Sequence, residues 1–182
     1  MALNWTMTNP DGTPVPLPHE MTICTIDSGA ELKLTAPADG RGAPAKTLQS
    51  SGRVYLTDKR LIFLSRAPPP APAFDSLSVP LHSVLSTKFE QPTFGANVLR
   101  LTIKPAPDGG LTEGTEGELR FKERPMFEFV ALLEKTRERA IYMARQTEAD
   151  DENLPTYTSP SGTSAVSFVG GVPVDNPPGY DA

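Results

Sequence analysis

Gly52-Arg53-Val54-Tyr55-Leu56-Thr57 and Arg60-Leu61-Ile62-Phe63-Leu64-Ser65 are two runs separated only by Asp58-Lys59. Their β-branched and aromatic side chains suit a pleated, half-buried surface. A two-residue connection is the length of a tight hairpin, so the pair reads as adjacent antiparallel strands. Working outward, Ala67–Ala73 holds four prolines and cannot supply the backbone donors of a sheet, which makes it a loop. On the N-terminal side, residues 37–49 form a polar loop carrying Gly and Pro. Before it, Glu20–Asp27 and Glu31–Ala36 alternate as strands do, and Ser28-Gly29-Ala30 between them reads as a hairpin turn.

Towards the C-terminus, Phe74–Leu81 and Val84–Glu90 are weaker strand signals. Asn97–Lys104 alternates cleanly apart from the adjacent Val98 and Leu99, Gly109–Gly117 is a turn or loop, and Glu118–Glu123 is a last strand. The period then changes. Pro125 suits a first helical position, and Met126, Phe129, Val130 and Leu133 follow at helical spacing. Ala140 continues this stripe and Arg137 interrupts it, so the spacing predicts a helix over 125–145 with its apolar face on the strands. The fold class is therefore mainly β: an antiparallel sandwich or partly open barrel of about seven strands, closed by one C-terminal α-helix.

Composition divides the chain into three. Residues 1–19 are rich in turn formers and read as a loose lead-in, 20–146 carry the β domain, and 147–182 read as a disordered acidic tail. The 38% hydrophobic content is low and the 20 prolines are many, so part of the chain is not packed. Six acids and no Lys or Arg lie from Thr147 onward; against a whole-chain charge of −5, residues 1–146 carry +1. Non-specific and sequence-specific nucleic-acid binding both need a stronger basic footprint, and neither is expected. Cys24 alone forms no internal disulfide, and with only His19 and His82 besides, no zinc set exists. No leader-like or membrane-spanning apolar run occurs, which points to an intracellular protein. Asn4-Trp5-Thr6 matches a glycosylation sequon that has no meaning in that setting.

Catalysis finds no support. The phosphate-loop, nucleophile-elbow and paired-histidine metal motifs are absent, and the glycines at 109, 110, 114 and 117 lack dinucleotide spacing. A lone His82 beside a strand makes no active site. No cofactor is expected. The tail is more informative. Pro177-Pro178-Gly179-Tyr180 presents two prolines preset in polyproline II geometry, which fit an aromatic-lined groove with little loss of entropy. The tyrosine reaches a second pocket, the pattern of a WW-domain ligand. Leu154-Pro155-Thr156-Tyr157 is a weaker version of it.

The combination of Gly52–Thr57, Arg60–Ser65 and Gln91-Pro92-Thr93-Phe94-Gly95-Ala96-Asn97 resembles the family of WW-domain-binding protein 2 and its postacrosomal-sheath relative, over roughly residues 20 to 145. The resemblance implies a GRAM domain with a pleckstrin-homology-like fold, two near-orthogonal antiparallel sheets and a C-terminal helix. It implies an adaptor in cytoplasm and nucleus that binds WW-domain proteins, HECT-type ubiquitin ligases and transcriptional co-activators among them. The better-known members have long tails with several motifs, whereas this tail is short and acidic with one full motif. The alternative is a phosphoinositide-binding rim, since pleckstrin-like folds often present one, here from Arg53, Lys59, Arg60 and Arg66 around the hairpin. A body charge of +1 steers weakly towards an anionic leaflet.

Overall fold

The computed structural model describes residues 2–38, 44–66, 74–93, 95–106, 109–122, 126–152, 167–169 and 172–174. The chain divides into two compact units, Met1–Glu148 and Ala149–Ala182. In the first, the strands are β1 (Ala2–Leu3), β2 (Thr22–Ala36), β3 (Lys46–Thr57), β4 (Arg60–Ser65), β5 (Ser76–Pro80), β6 (Val84–Glu90), β7 (Val98–Ile103) and β8 (Glu116–Phe121). They form one antiparallel sheet in the order β1-β5-β4-β3-β2-β8-β7-β6, with a 3-10 turn, Leu81–Ser83, carrying the chain from β5 to β6. Helix α1 runs Met126–Glu152. The sheet curls into a half-barrel that α1 closes. In the second unit, β9 (Ser167–Val169) and β10 (Val172–Val174) pair as an antiparallel hairpin.

The curl originates in β2. This strand pairs with β3 along its whole length, yet with β8 only from Ala30 to Thr35. Between Ile26↔Val54 and Ala30↔Gly52 it carries two more residues than its partner, a bulge that bends the strand and strengthens its twist. Gly29 takes φ +71° there and its carbonyl accepts the Lys122 amide. Ser28-Gly29-Ala30 is thus a bulge inside one 15-residue strand and not the hairpin turn its composition suggests. Glycine signals positive φ, and a bulge and a turn use it alike.

Opposite the bulge, Gly52 lies between β2 and β4, and a Cβ there would stand 2.0 Å from the Leu64 carbonyl oxygen. Backbone cannot yield as a flexible side chain can. Gly52→Ala is therefore expected to cost about 1–3 kcal/mol through strand displacement, measured as a lower midpoint in urea unfolding.

The concave face is filled by apolar side chains from every long strand, among them Leu34, Leu56, Leu99 and Leu119, each 2% exposed or less. Phe63 and Phe74 meet with ring centroids 5.7 Å apart. Met126, Phe129, Val130 and Leu133 of α1 complete this core as their spacing predicts. Arg137, which interrupts the stripe, donates from Nε and Nη2 to the carbonyls of Val84 and Leu85, both at 2.7 Å. Those carbonyls lie on the outermost strand of that half of the sheet, so one guanidinium both covers an edge and fixes the helix.

A second, smaller cluster lies on the convex face of the same hairpin. Tyr55, Ile62 and Leu64 are buried there although their neighbours Val54, Leu61 and Phe63 face the core. A strand apolar on both faces needs two covers, and the N-terminal segment passes this face, Asp11 and Gly12 lining a cleft beside Leu64. That segment is bonded to the sheet at both ends. The Leu3 amide donates to Gly109, Asn4 donates to Ser76, and Asn4 Oδ1 accepts the Asp75 amide at 2.7 Å. The turn-forming composition of 1–19 gives no sign of these attachments.

Candidate functional site

The turn between β3 and β4 is organised by Glu20. Its carboxylate is almost fully buried and faces Arg60, with Oε1 2.7 Å from Nε and Oε2 2.9 Å from Nη2. It also accepts the Leu17 amide at 2.6 Å and the Thr57 hydroxyl at 2.7 Å. Burial alone would raise this carboxyl, but the Arg60 guanidinium, the Leu17 amide and the Thr57 hydroxyl together hold it below the ordinary glutamate range. Arg60 further donates to the Val15 carbonyl at 2.8 Å, and Lys59 Nζ to that of Pro18 at 2.6 Å. Sequence reasoning missed the role of Glu20 because it reads there as the opening residue of an alternating strand, and only the fold brings it to Arg60, 40 residues away.

Because the folded carboxyl titrates lower than an unfolded one, the contribution of Glu20 is complete above the ordinary glutamate pKa of about 4.3. It is lost as pH falls through the depressed folded value. Glu20→Gln should therefore destabilise the domain by roughly 1.5 kcal/mol near neutral pH. In urea titrations the gap between wild type and variant should close progressively below about pH 4.

These contacts decide how the four candidate rim cations are placed. Lys59 and Arg60 lie at the turn end of the hairpin, and both are engaged with the N-terminal segment. Arg53 and Arg66 lie near the opposite end, where Gly52 pairs with Ser65. Arg53 pairs with Leu64, four residues from Arg60, so the two groups are separated by roughly 13 Å of strand. Arg53 and Arg66 line a cleft of about 170 Å³ with Asp11, Gly12, Leu64 and Ser65. The structure thus brings two of the four together and holds the other two apart in internal contacts.

Elsewhere the convex face carries paired charge. Arg100 meets Glu90 at 2.9 Å and Glu118 at 3.2 Å, Lys88 meets Glu90 at 2.9 Å, and Lys122 meets Glu31 at 2.6 Å. Such a lattice offers no uniform basic stripe. The cavity inside the core, lined by residues such as Leu32, Phe63 and Leu119, has room for about 10 Å³. That is at most one water, so the half-barrel interior is packing and not a ligand chamber. Among the described residues no His, Cys, Asp and Glu group could hold a metal ion, and no helix is long and apolar enough to cross a membrane. Cys24 is half-buried against the core. The tail candidates Leu154, Pro155, Tyr157, Pro177, Pro178, Gly179 and Tyr180 lie outside the described residues.

Comparison with known proteins adds what geometry leaves open. No protein-family model matches the chain. Human WW domain-binding protein 2 is 31% identical over 137 residues, covering 71% of this chain and 47% of that protein. The postacrosomal sheath WW domain-binding protein of Macaca fascicularis is 27% identical over 110 residues, 60% of this chain and 43% of that one. A stress-induced protein of Schizosaccharomyces pombe is 28% identical over 133 residues, 72% of this chain and 70% of its own length. The chain therefore spans less than half the length of these two WW domain-binding relatives. The chain belongs to the family of WW domain-binding protein 2 and the postacrosomal sheath WW domain-binding protein.

Proposed function

We propose that this protein is a non-enzymatic adaptor that binds WW-domain proteins through Pro177-Pro178-Gly179-Tyr180, with Leu154-Pro155-Thr156-Tyr157 as a second, weaker ligand. The observation that carries the reading is the Pro-Pro-x-Tyr motif itself, in a chain whose relatives are named for binding WW domains. Residues 20–146 form the folded body and 147–182 the segment that presents both motifs. The prolines enter an aromatic groove in a conformation they already favour, and Tyr180 fills the adjoining pocket. Partners of this chemistry include HECT-type ubiquitin ligases and transcriptional co-activators, met in cytoplasm and nucleus, where the adaptor role extends to co-activation. A pull-down of WW-domain proteins with the 147–182 peptide and its Tyr180→Ala variant tests the reading. Strong capture by the first and much reduced capture by the second is the expected result, and equal capture by both would overturn it.

The alternative, phosphoinositide binding, draws support from the cleft between Arg53 and Arg66 alone, since Lys59 and Arg60 are engaged by Pro18 and Glu20. For that reading the informative variant is Arg66→Glu in vesicle sedimentation. Reversing Arg60 would instead break the contact with Glu20 and change stability.

A further inference from the structure

The N-terminal segment 5–18 is attached to the sheet near its ends, while its middle is hydrogen-bonded mainly to itself, Thr8 bridging to Pro14 and Val15 donating to Met7. It is bracketed by two non-glycine residues in the left-handed region, Asn4 at φ +60° and His19 at φ +56°. Between them the chain turns at Asn9–Thr13, where the Asn9 amide donates to the Thr13 carbonyl at 2.8 Å and the Gly12 amide to that of Asn9 at 2.9 Å. This turn places Asp11 and Gly12 in the cleft with Arg53 and Arg66. Neither guanidinium makes an ion pair within 4.0 Å among the described residues. Arg53 Nε is buried without an acceptor. A buried donor without an acceptor is costly, so the cleft favours any anion that reaches it.

Thr13 is the group best placed to bring one. Thr13 is half-buried; its hydroxyl accepts from the Asn9 side chain and makes a surface hydrogen bond to Asp11 Oδ1 at 2.7 Å, the largest influence holding the Asp11 carboxyl below its ordinary range. The hydroxyl is therefore one hydrogen bond away from a side chain that lines the cleft. Thr13 is followed by Pro14, and a proline directly after the acceptor hydroxyl is what proline-directed kinases read. The geometry points to Thr13 as a phosphorylation site whose phosphate docks between Arg53 and Arg66 and clamps the N-terminal segment onto the convex face of β3 and β4.

In the reaction, Thr13 Oγ1 attacks the γ-phosphorus of ATP and the bond to the bridging oxygen breaks. ADP leaves, and the hydroxyl proton passes to the kinase's base. The product loses the hydroxyl donor to Asp11, which keeps the Thr13 amide at 2.9 Å, and gains nearly two negative charges with three acceptor oxygens. Repulsion turns Asp11 away, and the phosphate takes its place before two guanidinium forks, the geometry that favours bidentate pairing. This inference stands independently of the WW-domain reading.

The test incubates the full chain, Thr13→Val, Arg66→Gln and Arg53→Gln/Arg66→Gln with a proline-directed kinase and ATP. Phosphopeptide mapping locates the label, and amide hydrogen exchange follows residues 5–18. Mapping is needed because Ser159-Pro160 is the other hydroxyl–proline pair in the chain. Wild type should gain phosphate on Thr13, and exchange across 7–15 should slow by about tenfold. Arg66→Gln should be labelled equally and lose most of that slowing. Since Arg66 is exposed, its variant should melt as wild type does, which keeps the comparison interpretable if the double variant unfolds. Absence of label on Thr13 would overturn the proposal. So would unchanged or faster exchange after labelling, or equal slowing in Arg66→Gln.

Discussion

Replacing Phe129 with Ala should lower the unfolding free energy by about 3–5 kcal/mol. The ring is 2% exposed and meets Phe121 edge to face, centroids 5.0 Å apart at 81°. Truncation removes that aromatic contact, worth about 0.5–1.5 kcal/mol beyond area burial, and leaves a cavity between helix and sheet. The cavity has little means to collapse, because Arg137 holds the helix to the Val84 and Leu85 carbonyls. Phe127, two positions earlier and 73% exposed, is the internal control, for which Phe127→Ala should change stability by less than about 0.5 kcal/mol. Urea unfolding of the two variants reads the contrast. Similar losses in both would mean that α1 does not close the half-barrel through this face.

The parts of the fold that were legible are those set by local periodicity. The runs 52–57 and 60–65 carry their own register in a two-residue connection, and the helical stripe from Met126 to Leu133 has a period no strand shares. What escaped depends on groups far apart in sequence. The bulge at Gly29 is defined by its partners Gly52 and Lys122, and nothing local separates it from a hairpin turn. The burial of Ile62 and Leu64 opposite the core implies a second cover, but their sequence does not say which segment provides it. Glu20 and Arg60 are 40 residues apart, and Asn4 and Asp75 are 71. Such pairs become visible only once the sheet sets them side by side.

The candidate sites divide along the same line. A rim of Arg53, Lys59, Arg60 and Arg66 was legible as charge near a hairpin, but charge does not reveal that Glu20 and Pro18 already hold two of the four. The proline motifs are the opposite case. Their chemistry is complete in four consecutive residues, because an extended ligand needs no fold around it to be read.

Binding to WW domains should depend on Tyr180 more than on any other residue. In an adaptor of this kind the folded body adds nothing to the groove contact, so the energy concentrates in two prolines and one ring. Removing the ring empties its pocket, and an aromatic anchor of this type contributes about 2 kcal/mol or more, a loss of at least tenfold in affinity. A phosphate on Tyr180 should weaken binding similarly by placing charge in an apolar slot. Tyr157 lies 23 residues before Tyr180, a separation with an r.m.s. span of roughly 25 Å for a flexible chain. The β9–β10 hairpin lies within that interval and shortens its reach. Tandem WW domains should therefore engage both motifs, the second at high effective concentration. Tyr157→Ala should leave binding to one WW domain nearly unchanged and weaken binding to a tandem pair. The most direct measurement is calorimetric titration of a single WW domain into the full chain and into Tyr180→Ala. Saturable one-to-one binding by wild type, weakened at least about tenfold in the variant, is the expected result; equal affinity for both chains, or no binding by either, would contradict the adaptor function.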